Sequence, residues 1–325
     1  MSTVIKASEL LLSYDKVLVI SHTSPDGDTL GSASALIKGL NFLGKKTAFL
    51  CADPIGKKFS YLFEDLNLTE YDESFHVVTV DIADPKLMGK LCDEYKDKVE
   101  LAIDHHATHV PFGKVEWVNP NAAANCEMIF ELLSEMNVLI DKSTATKLYT
   151  GIATDTGCFK FMNTTADTHI IAANLIALGA DFGFVNKLMF ETKSRACLET
   201  ERKVLSDMKF YGGGKIASVE IPLSLLKETG AEEGEVESIT AIPRTIEGVL
   251  LGITLKEKEG SEEGKTIWKA SVRATEPCDA SVICKKFGGG GHKGAAGCTL
   301  GENLEIGREE LIKVCTEYLK EINEL

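Results

Sequence analysis

The most constraining feature of this sequence is the alternation of short apolar runs with helical patterns through roughly the first two hundred residues. Four runs have the length and residue types of buried strands: Val17–Ile20, Thr47–Cys51, His76–Val80 and Val99–Ile103. Between the first two runs, apolar residues from Ala33 to Leu43 recur at three- and four-residue steps, and Gly44 stands where a helix would end. Strands that alternate with helices in this way form a parallel sheet with flanking helices. We therefore predict an α/β domain, mainly helical from 122 to 180.

The pattern changes in the last third of the chain. Longer apolar runs at 216–221, 248–256 and 266–274 predict strands. Periodic segments near 279–287 and 304–319 predict helices. This order of elements is typical of an α+β domain.

The two patterns divide the chain into three predicted parts. A catalytic domain occupies 1–189, a charged helical linker without strand signal occupies 190–210, and a smaller α+β domain occupies 211–325. Within the last part, the charged, glycine-containing segment 256–265 predicts a hairpin or a surface loop. The predicted fold class is therefore α/β, with an N-terminal parallel-sheet domain joined by a helical linker to the α+β domain.

Composition limits the partners that the protein can bind. The 325-residue chain has 35 Lys and Arg against 49 Asp and Glu, a formal net charge of −14, so it repels long duplex nucleic acid and must meet any phosphate group locally. Its apolar stretches are far shorter than the ~20 residues that span a bilayer. The N-terminus has neither a basic start nor a small-residue cleavage site. We therefore expect neither a membrane protein nor an exported one.

Nine cysteines are scattered through the chain without any C-x-x-C pair. Structural zinc sites are typically built from paired cysteines, so such a site is disfavoured. An odd number of scattered thiols fits a reducing compartment. We therefore expect a cytoplasmic protein.

Ligand-type residues follow three of the predicted strands directly. They are His22, Asp26 and Asp28 after the first strand, Asp81 after the third, and Asp104, His105 and His106 after the fourth. Loops beyond the carboxyl ends of parallel strands form one crevice, so these side chains are expected to converge. Asp155, in the glycine-bounded segment 151–157, is predicted to join them from a tight turn. His76, His109 and His169 lack such partners and are predicted to be surface or packing residues.

Carboxylates crowded in one crevice repel one another unless cations neutralise them. A mixed carboxylate and imidazole set without thiolate favours Mn²⁺, with Mg²⁺ as the alternative, over zinc or calcium. Two ions roughly 3.5–4 Å apart that share a carboxylate activate water for in-line attack on phosphorus, so the cluster predicts phosphoester hydrolysis. Taken singly, these acids have other interpretations: Asp26 and Asp28 as turn residues after Pro25, Asp81 as a helix cap, and Asp155 as a turn residue. Their joint placement at strand ends favours metal.

A second informative segment is the glycine run 288–291, which is followed by His292. Consecutive glycines have a conformational-entropy cost, so they suit close approach of a ligand to backbone N–H groups. Lysines on both sides of the run, together with Arg273, make this the one dense basic region of an acidic sequence. A flexible hairpin tip is the alternative interpretation.

These motifs, in this order, resemble the signatures of the DHH phosphoesterases. The matching segments are His22-x-x-x-Asp26-x-Asp28, Asp81, Asp104-His105-His106 and 151–157 for the four DHH motifs, and 288–297 for the glycine-histidine signature of the DHHA1 domain. The resemblance covers nearly the whole chain. Cys158 departs from it, because some relatives have arginine there. Within the superfamily, the compact length resembles that of the bifunctional oligoribonucleases that also remove the 3′-phosphate of adenosine 3′,5′-bisphosphate.

The resemblance implies a role for each matched residue. One Mn²⁺ would be held by His22, Asp26 and Asp81, and the other by Asp28, Asp81, His105 and Asp155, which makes Asp81 the bridge. His106 would act on the scissile phosphate as a proton donor or transition-state stabiliser, and Asp104 would orient a histidine. The phosphate or terminal nucleotide of the substrate would be bound by Arg273, Gly289, Gly290, Gly291 and His292.

The implied activity is hydrolysis of di- to pentanucleotides, including linear dinucleotides such as pApA, together with conversion of adenosine 3′,5′-bisphosphate to AMP. Closure of the two domains on a short ligand would limit substrate length. The expected partners are short single-stranded RNA or nucleotide bisphosphates, with no duplex and no membrane, and a homodimer is an open option. Three alternatives remain: a DHH exonuclease specific for single strands, a pyrophosphatase-type DHH enzyme, and a metal-bound nucleotide sensor without turnover.

Overall fold

The computed structural model describes residues 3–260 and 264–325. The chain divides into two compact units, Met1–Thr192 and Lys193–Leu325. Each unit has its own sheet and its own hydrophobic core. Among the described residues, no helix combines the length and the apolar character needed to cross a bilayer.

The first unit is built on a parallel sheet. Its strands are β1 (Lys16–Ile20), β2 (Lys46–Leu50), β3 (His76–Val80), β4 (Val99–Asp104) and β5 (Val115–Val118). All neighbours pair in parallel, in the order β2-β1-β3-β4-β5. The predicted parallel sheet and its four strands are confirmed. The fifth strand, β5, was not predicted, because its four residues include a glutamate and carry no long apolar run.

The direction of strand succession reverses between β1 and β3. The chain leaves β1 toward β2 on one side, whereas β3, β4 and β5 follow in sequence on the other side. In open parallel sheets, the carboxyl ends of the strands at such a switch point border a crevice that binds ligands. The ends of β1, β3 and β4 therefore lie where a site is expected.

Helices cover the sheet of the first unit. They are α1 (Val4–Ser13), α2 (Gly27–Phe42), α3 (Cys92–Tyr95), α4 (Asn125–Glu135), α5 (Lys142–Asp155), α6 (Ala166–Ala177) and α7 (Phe182–Asn186), with 3-10 segments at Lys57–Leu62 and Pro85–Leu91 and a π-helical turn at Lys187–Glu191. The predicted helix ending at Gly44 is confirmed as α2, and Gly44 has a φ of +77°. Apolar residues of α2, α4 and α5 pack with those of the strands in one core.

The second unit contains a mixed sheet. Its strands are β6 (Lys209–Tyr211), β7 (Ile216–Ile221), β8 (Leu251–Glu259), β9 (Thr266–Ala274), β10 (Gly290–His292) and β11 (Ala295–Gly301). They follow the order β10-β11-β9-β8-β7-β6, and only β7 and β8 pair in parallel. The segment 256–265 was predicted to be a hairpin or a surface loop, and residues 256–259 agree with the hairpin, because they continue β8 and pair antiparallel with β9. Residues 261–263 of that predicted loop lie outside the described residues.

Helices and one long 3-10 segment complete the second unit. They are α8 (Arg195–Ser206), α9 (Leu223–Thr229), the 3-10 segment Glu233–Thr245, α10 (Ala280–Lys285) and α11 (Leu304–Glu321), besides a short turn at Gly212–Gly214. The α+β composition is confirmed. Apolar residues of α10 and α11 pack on one face of the sheet. Val204 of α8, within the predicted linker, packs with β7 and the 3-10 segment; the linker itself stays a prediction.

Candidate metal centre

Three groups of ligand-type atoms lie at the carboxyl ends of β1, β3 and β4. Within each group, the atoms are no more than 4.8 Å apart. The groups are His22 with Asp26 and Asp81, Asp28 with His105 and Asp155, and Asp81 with His105 and His106. The structure therefore brings together all six predicted metal ligands, and Asp81 and His105 each belong to two of the groups.

His22 follows β1, and its backbone contact fixes which ring nitrogen faces the cluster. Nδ1 donates to the carbonyl oxygen of Thr23 over 2.7 Å. Nε2 then points toward the carboxylates, 3.5 Å from Asp81 and 3.8 Å from Asp26. A ring nitrogen whose partner is held by a carbonyl in this way is well oriented as a metal ligand.

Asp26 caps the start of α2. One of its carboxylate oxygens accepts from the backbone N–H groups of Asp28 and Thr29, at 3.0 and 3.1 Å. The turn interpretation is therefore correct for this residue, and it coexists with the contact to His22. Capping orients the carboxylate, because the helix start fixes the backbone around it.

Asp81 lies at the centre of the cluster, directly after β3. Its backbone has a φ of +61°, a conformation that few non-glycine residues adopt outside functional or turn positions. Its Oδ1 atom is buried and accepts no hydrogen bond from any described residue, although His105 Nε2 lies 3.4 Å away and His106 Nδ1 lies 3.6 Å away. A buried carboxylate oxygen without a hydrogen bond is costly unless a cation occupies the space beside it.

His105 faces three carboxylates. Its Nδ1 donates to the carbonyl oxygen of Ala122 over 3.1 Å. Its Nε2 lies 3.8 Å from Asp28, 3.4 Å from Asp81 and 3.7 Å from Asp155. The same arrangement as in His22 thus leaves one imidazole nitrogen aimed at the acidic groups.

Asp28 is held by the beginning of α4, which the sequence did not reveal. Both of its carboxylate oxygens accept backbone N–H groups, one from Asn125 and the other from Cys126 at 2.9 Å. The positive end of a helix favours a negative charge at this position. Asp28 and Cys126 can both pack closely against α5 because Gly151 of that helix has no side chain. A Cβ at Gly151 would lie 2.6 Å from Asp28 and 2.2 Å from the Cys126 sulfur.

Asp155 is the last residue of α5, so it reaches the cluster from the end of a helix. Gly157, Cys158 and Phe159 follow it with φ values of +57°, +59° and +63°. A tight turn is therefore present, but it follows Asp155, which was predicted to lie within it and is helical instead. Cys158, which departs from the pattern of some relatives, lies within this turn.

The charges of the cluster fit bound cations. Burial, and then repulsion from Asp81 and Asp155, raises the pKa of Asp28 well above its usual range. Burial also raises the pKa of Asp155 to about 7, with Asp81 adding to the effect and His105 opposing it. Burial disfavours the charged form of His22, but its contacts with Asp26 and Asp81 outweigh that and raise its pKa to about 11. The protons held here are those that metal ions displace when they bind, so the donor set fits a metal centre.

Asp104 and His106 form a contact beside the cluster. Oδ1 of Asp104 accepts from His106 Nδ1 over 2.8 Å. Asp104 is fully buried, whereas the His106 side chain is 37% exposed. Burial opposes ionisation of Asp104, but hydrogen bonds from His106 and His109 outweigh it and hold its pKa well below its usual range. Asp104 is thus a buried anion that orients the ring of His106.

His109 was predicted to be a surface or packing residue without ligand-type partners, and that prediction is wrong. The side chain is buried between two carboxylates, with Nδ1 2.6 Å from Asp104 Oδ2 and Nε2 2.7 Å from Glu116 Oε2. The other Glu116 oxygen accepts from the backbone of Phe112 and Gly113. Glu116 lies on β5, the strand that was not predicted, so the sequence pattern gave no signal for this partner. By contrast, His76 stacks on Tyr14 and His169 on Phe159.

Packing within the second unit explains two of the glycines in the run 288–291. A Cβ at Gly289 would lie 2.2 Å from the carbonyl oxygen of Gly297, and one at Gly291 would lie 2.6 Å from that of Ala295. These two glycines are therefore needed for close packing of the chain on β11. Gly290 has no atom within 4 Å of its missing Cβ, and His292 is exposed. Arg273 lies on β9, half-buried.

A parallel sheet that carries such a donor set at its switch point is typical of metal-dependent phosphoesterases. Comparison with known families agrees. Residues 16–152 match the DHH family, N-terminal domain, and residues 213–321 match the DHHA1 domain. The chain therefore belongs to the DHH family, as predicted. Enzymes of this family depend on metal ions, in agreement with the groups around Asp81.

Similar proteins cover nearly the full length. The bifunctional oligoribonuclease and PAP phosphatase NrnA of Thermus thermophilus is 31% identical over 308 residues, which are 93% of this chain and 90% of the relative. The protein of the same name from Bacillus subtilis is 26% identical, over 94% of this chain and 96% of its own. The crystal structure of an exopolyphosphatase-related protein from Bacteroides fragilis shares the fold, with a TM-score of 0.85 at 24% identity over 98% and 96% of the two chains. The predicted class, a hydrolase of phosphate esters, is confirmed at the level of the family.

Proposed function

We propose that this protein hydrolyses short oligoribonucleotides, from di- to pentanucleotides, to mononucleotides, and that it also removes the 3′-phosphate of adenosine 3′,5′-bisphosphate. The observation that carries the proposal is the set of three ligand groups that share Asp81 and His105. The names of the relatives from Thermus thermophilus and Bacillus subtilis support the choice of substrates.

Two divalent cations would complete the site. His22, Asp26 and Asp81 would hold one, and Asp28, Asp81, His105 and Asp155 would hold the other. Imidazole nitrogens among carboxylate oxygens favour Mn²⁺ over Mg²⁺. When bound, the ions would supply Lewis acidity toward the attacking water and the phosphate.

The remaining residues of the first unit would position groups and move protons. His106 is half-exposed, and its Nδ1 is occupied by Asp104. Its Nε2 is therefore the atom that would donate a proton or a hydrogen bond to the phosphate as negative charge develops. Asp104 would keep the ring in that tautomer and orientation, as carboxylates commonly do for functional histidines.

The second unit would bind the part of the nucleotide that does not react. Arg273 and exposed His292 offer hydrogen-bond donors for a phosphate, and Gly290 leaves its backbone open to a ligand. The net charge of −14 disfavours long polyanions, which supports short substrates.

The test is a turnover panel with the full chain. Short RNAs, pApA, adenosine 3′,5′-bisphosphate, a cyclic dinucleotide, pyrophosphate and a long single strand are each incubated with Mn²⁺, and then with excess chelator. The proposal expects turnover of the short RNAs, pApA and the bisphosphate, and none in chelator. Pyrophosphate or the long strand as the best substrate would favour the pyrophosphatase or exonuclease alternative instead. Binding of nucleotides without turnover would identify a sensor.

A further inference from the structure

The segment 122–126, which leads into α4, is connected to all three members of one ligand group. A carbonyl oxygen at its start accepts from His105 Nδ1, and two backbone N–H groups at its end hold the carboxylate of Asp28. Asp155, the third member, is connected to the same segment through the side chain of Asn163. The backbone of this segment therefore links the three ligands to one another.

Asn163 bridges two backbone carbonyls through one amide nitrogen. Its Nδ2 donates to the carbonyl oxygen of Ala123 over 3.0 Å and to that of Asp155 over 3.2 Å. Because carbonyl oxygens only accept hydrogen bonds, the two protons of the amide nitrogen match these two partners. The bridge thus fixes the end of α5, which carries a ligand, against the segment that receives His105.

Glu127 holds the first peptide group of the same segment. Its Oε2 accepts from the backbone N–H of Ala123 over 3.2 Å, and the carbonyl of that peptide group is the Ala122 oxygen that accepts from His105. Because a peptide group is planar, fixing its N–H also fixes the direction of its carbonyl oxygen. Glu127 is only 6% exposed, and burying a carboxylate is costly unless it makes specific contacts. Its carboxylate therefore orients His105 through one peptide group.

The other ligand group lies outside this network. Within the part of the chain that the structure describes, neither Glu127 nor Asn163 makes a hydrogen bond to the remaining ligands, His22, Asp26 and Asp81. His22 and Asp26 are oriented instead by backbone groups of the loop after β1 and of the start of α2. Different contacts therefore set the positions of the two groups.

We infer that Glu127 and Asn163 are positioning residues for one cation, the one that would be held by Asp28, His105 and Asp155. They would set the affinity for this cation without changing the affinity for the other. Hydrogen-bond partners of metal ligands act in this way, and their removal typically lowers metal affinity by about 10- to 100-fold. The inference rests on the proposed two-cation centre, but binding of the ions can be measured without any substrate.

The first test uses Asn163→Asp, which keeps the shape of the side chain but replaces the donor nitrogen with an oxygen. The added negative charge alone would attract a cation more strongly, whereas the loss of both hydrogen bonds should lower the Mn²⁺ affinity of one site by about 10- to 100-fold. Asn121→Asp is the matched control, because Asn121 is also exposed and its side chain makes no hydrogen bond within the described residues. Calorimetric titration of the metal-free full chain with Mn²⁺ measures both affinities.

The second test separates orientation from charge at Glu127. Glu127→Ala removes the acceptor and should weaken the same site by about 10- to 100-fold, whereas Glu127→Gln keeps an acceptor for the Ala123 N–H and should stay within about threefold of the wild type. Glu131→Ala is the control, because Glu131 is exposed one turn later on α4. Thermal unfolding of each variant in excess chelator checks that the fold is kept.

Electron paramagnetic resonance gives a readout that a general loss of stability would not produce. At Mn²⁺ concentrations where the wild type shows a spin-coupled pair, Asn163→Asp and Glu127→Ala should show a single uncoupled ion. Unchanged affinities in both variants, or an equal loss at both sites, would overturn the inference.

The same measurements distinguish this inference from the proposed function. If the wild type binds one Mn²⁺ ion, the two-cation centre is refuted, and the inference stands only if that ion depends on Asn163. If no Mn²⁺ binds, both are refuted. If two ions bind with the expected dependence but no nucleotide is hydrolysed, the proposed function fails and the inference stands.

Discussion

His109 donates from Nδ1 to Oδ2 of Asp104 over 2.6 Å, on the side of the carboxylate opposite to the oxygen that receives His106. Asp104 therefore has a histidine on each oxygen. Because Glu116 accepts from the other nitrogen of His109, four side chains form one continuous hydrogen-bonded chain that ends at the half-exposed ring of His106.

The first prediction concerns that chain. His109→Ala should lower kcat by about 10- to 100-fold, the range seen when an outer partner of a site residue is removed, with little change in KM. The physical reason is that Asp104 loses one of the two donors that hold its charge and orientation. His169→Ala is the control, because His169 is exposed and stacks only on Phe159. An unchanged kcat for His109→Ala would show that His106 alone suffices to position Asp104.

The second prediction is a dependence of stability on pH. Burial disfavours protonation of His109, but its hydrogen bonds to Asp104 and Glu116 outweigh that and raise its pKa to about 9. A group whose pKa is raised on folding stabilises fully below its unfolded pKa of about 6.5, and the benefit disappears as the pH rises through the folded value. The urea midpoint of the wild type should therefore exceed that of His109→Gln more at about pH 6 than at about pH 9.5. Equal differences at both pH values would contradict a charged His109.

The third prediction concerns Asp81. Asp81→Ala should lower kcat by several orders of magnitude, because the substitution removes a ligand from two metal-binding groups at once. Asp93→Ala is the control, since Asp93 is fully exposed. Metal content measured on both variants separates loss of ions from loss of fold. A decrease in kcat of only a few-fold would rule out Asp81 as a bridge.

The fourth prediction is the effect of metal removal. Chelation should abolish hydrolysis, and Mn²⁺ should restore it better than Mg²⁺ or Ca²⁺. Thermal unfolding of the full chain should shift upward when Mn²⁺ is added, because a ligand that binds only the folded state stabilises it. Asp28→Asn should reduce that shift. Full activity in excess chelator would refute the metal mechanism.

The fifth prediction separates chemistry from substrate binding. His106→Ala should lower kcat alike for a dinucleotide, for adenosine 3′,5′-bisphosphate and for a small generic phosphodiester, because it acts on the phosphorus common to all. His292→Ala should lower kcat/KM for the nucleotides by about 10-fold or more and affect the generic ester much less. The measurement is kcat/KM for each substrate in each variant. Equal losses from His292→Ala on all three would assign His292 to the chemical step.

The sequence alone predicted those site residues that directly follow a recognisable strand. Asp26, Asp81 and the Asp104 to His106 triplet each follow an apolar run, and a parallel sheet brings such ends together whatever the details of packing. Contacts between different helices and strands could not be predicted from the sequence in this way. Asp28 is held by backbone groups at the start of α4, and backbone N–H groups have no sequence signature.

The partner of His109 depends on register. Glu116 faces His109 only because β5 lies beside β4, and a short strand with a charged residue has a weak pattern. A single sequence does not give strand register, so this relationship had to come from the structure.

The contact between Asp28 and the start of α4 bears on the order of events in the maturation of this enzyme. Small zinc modules fold only when their ion arrives, because nothing else gathers their ligands. Here, two backbone N–H groups already stabilise one ligand carboxylate, within a core of sheet and helices that buries its apolar residues by itself. We therefore expect the chain to fold first and to bind its cations afterwards, so that metal supply would control how much of the enzyme is active without controlling how much of it is made.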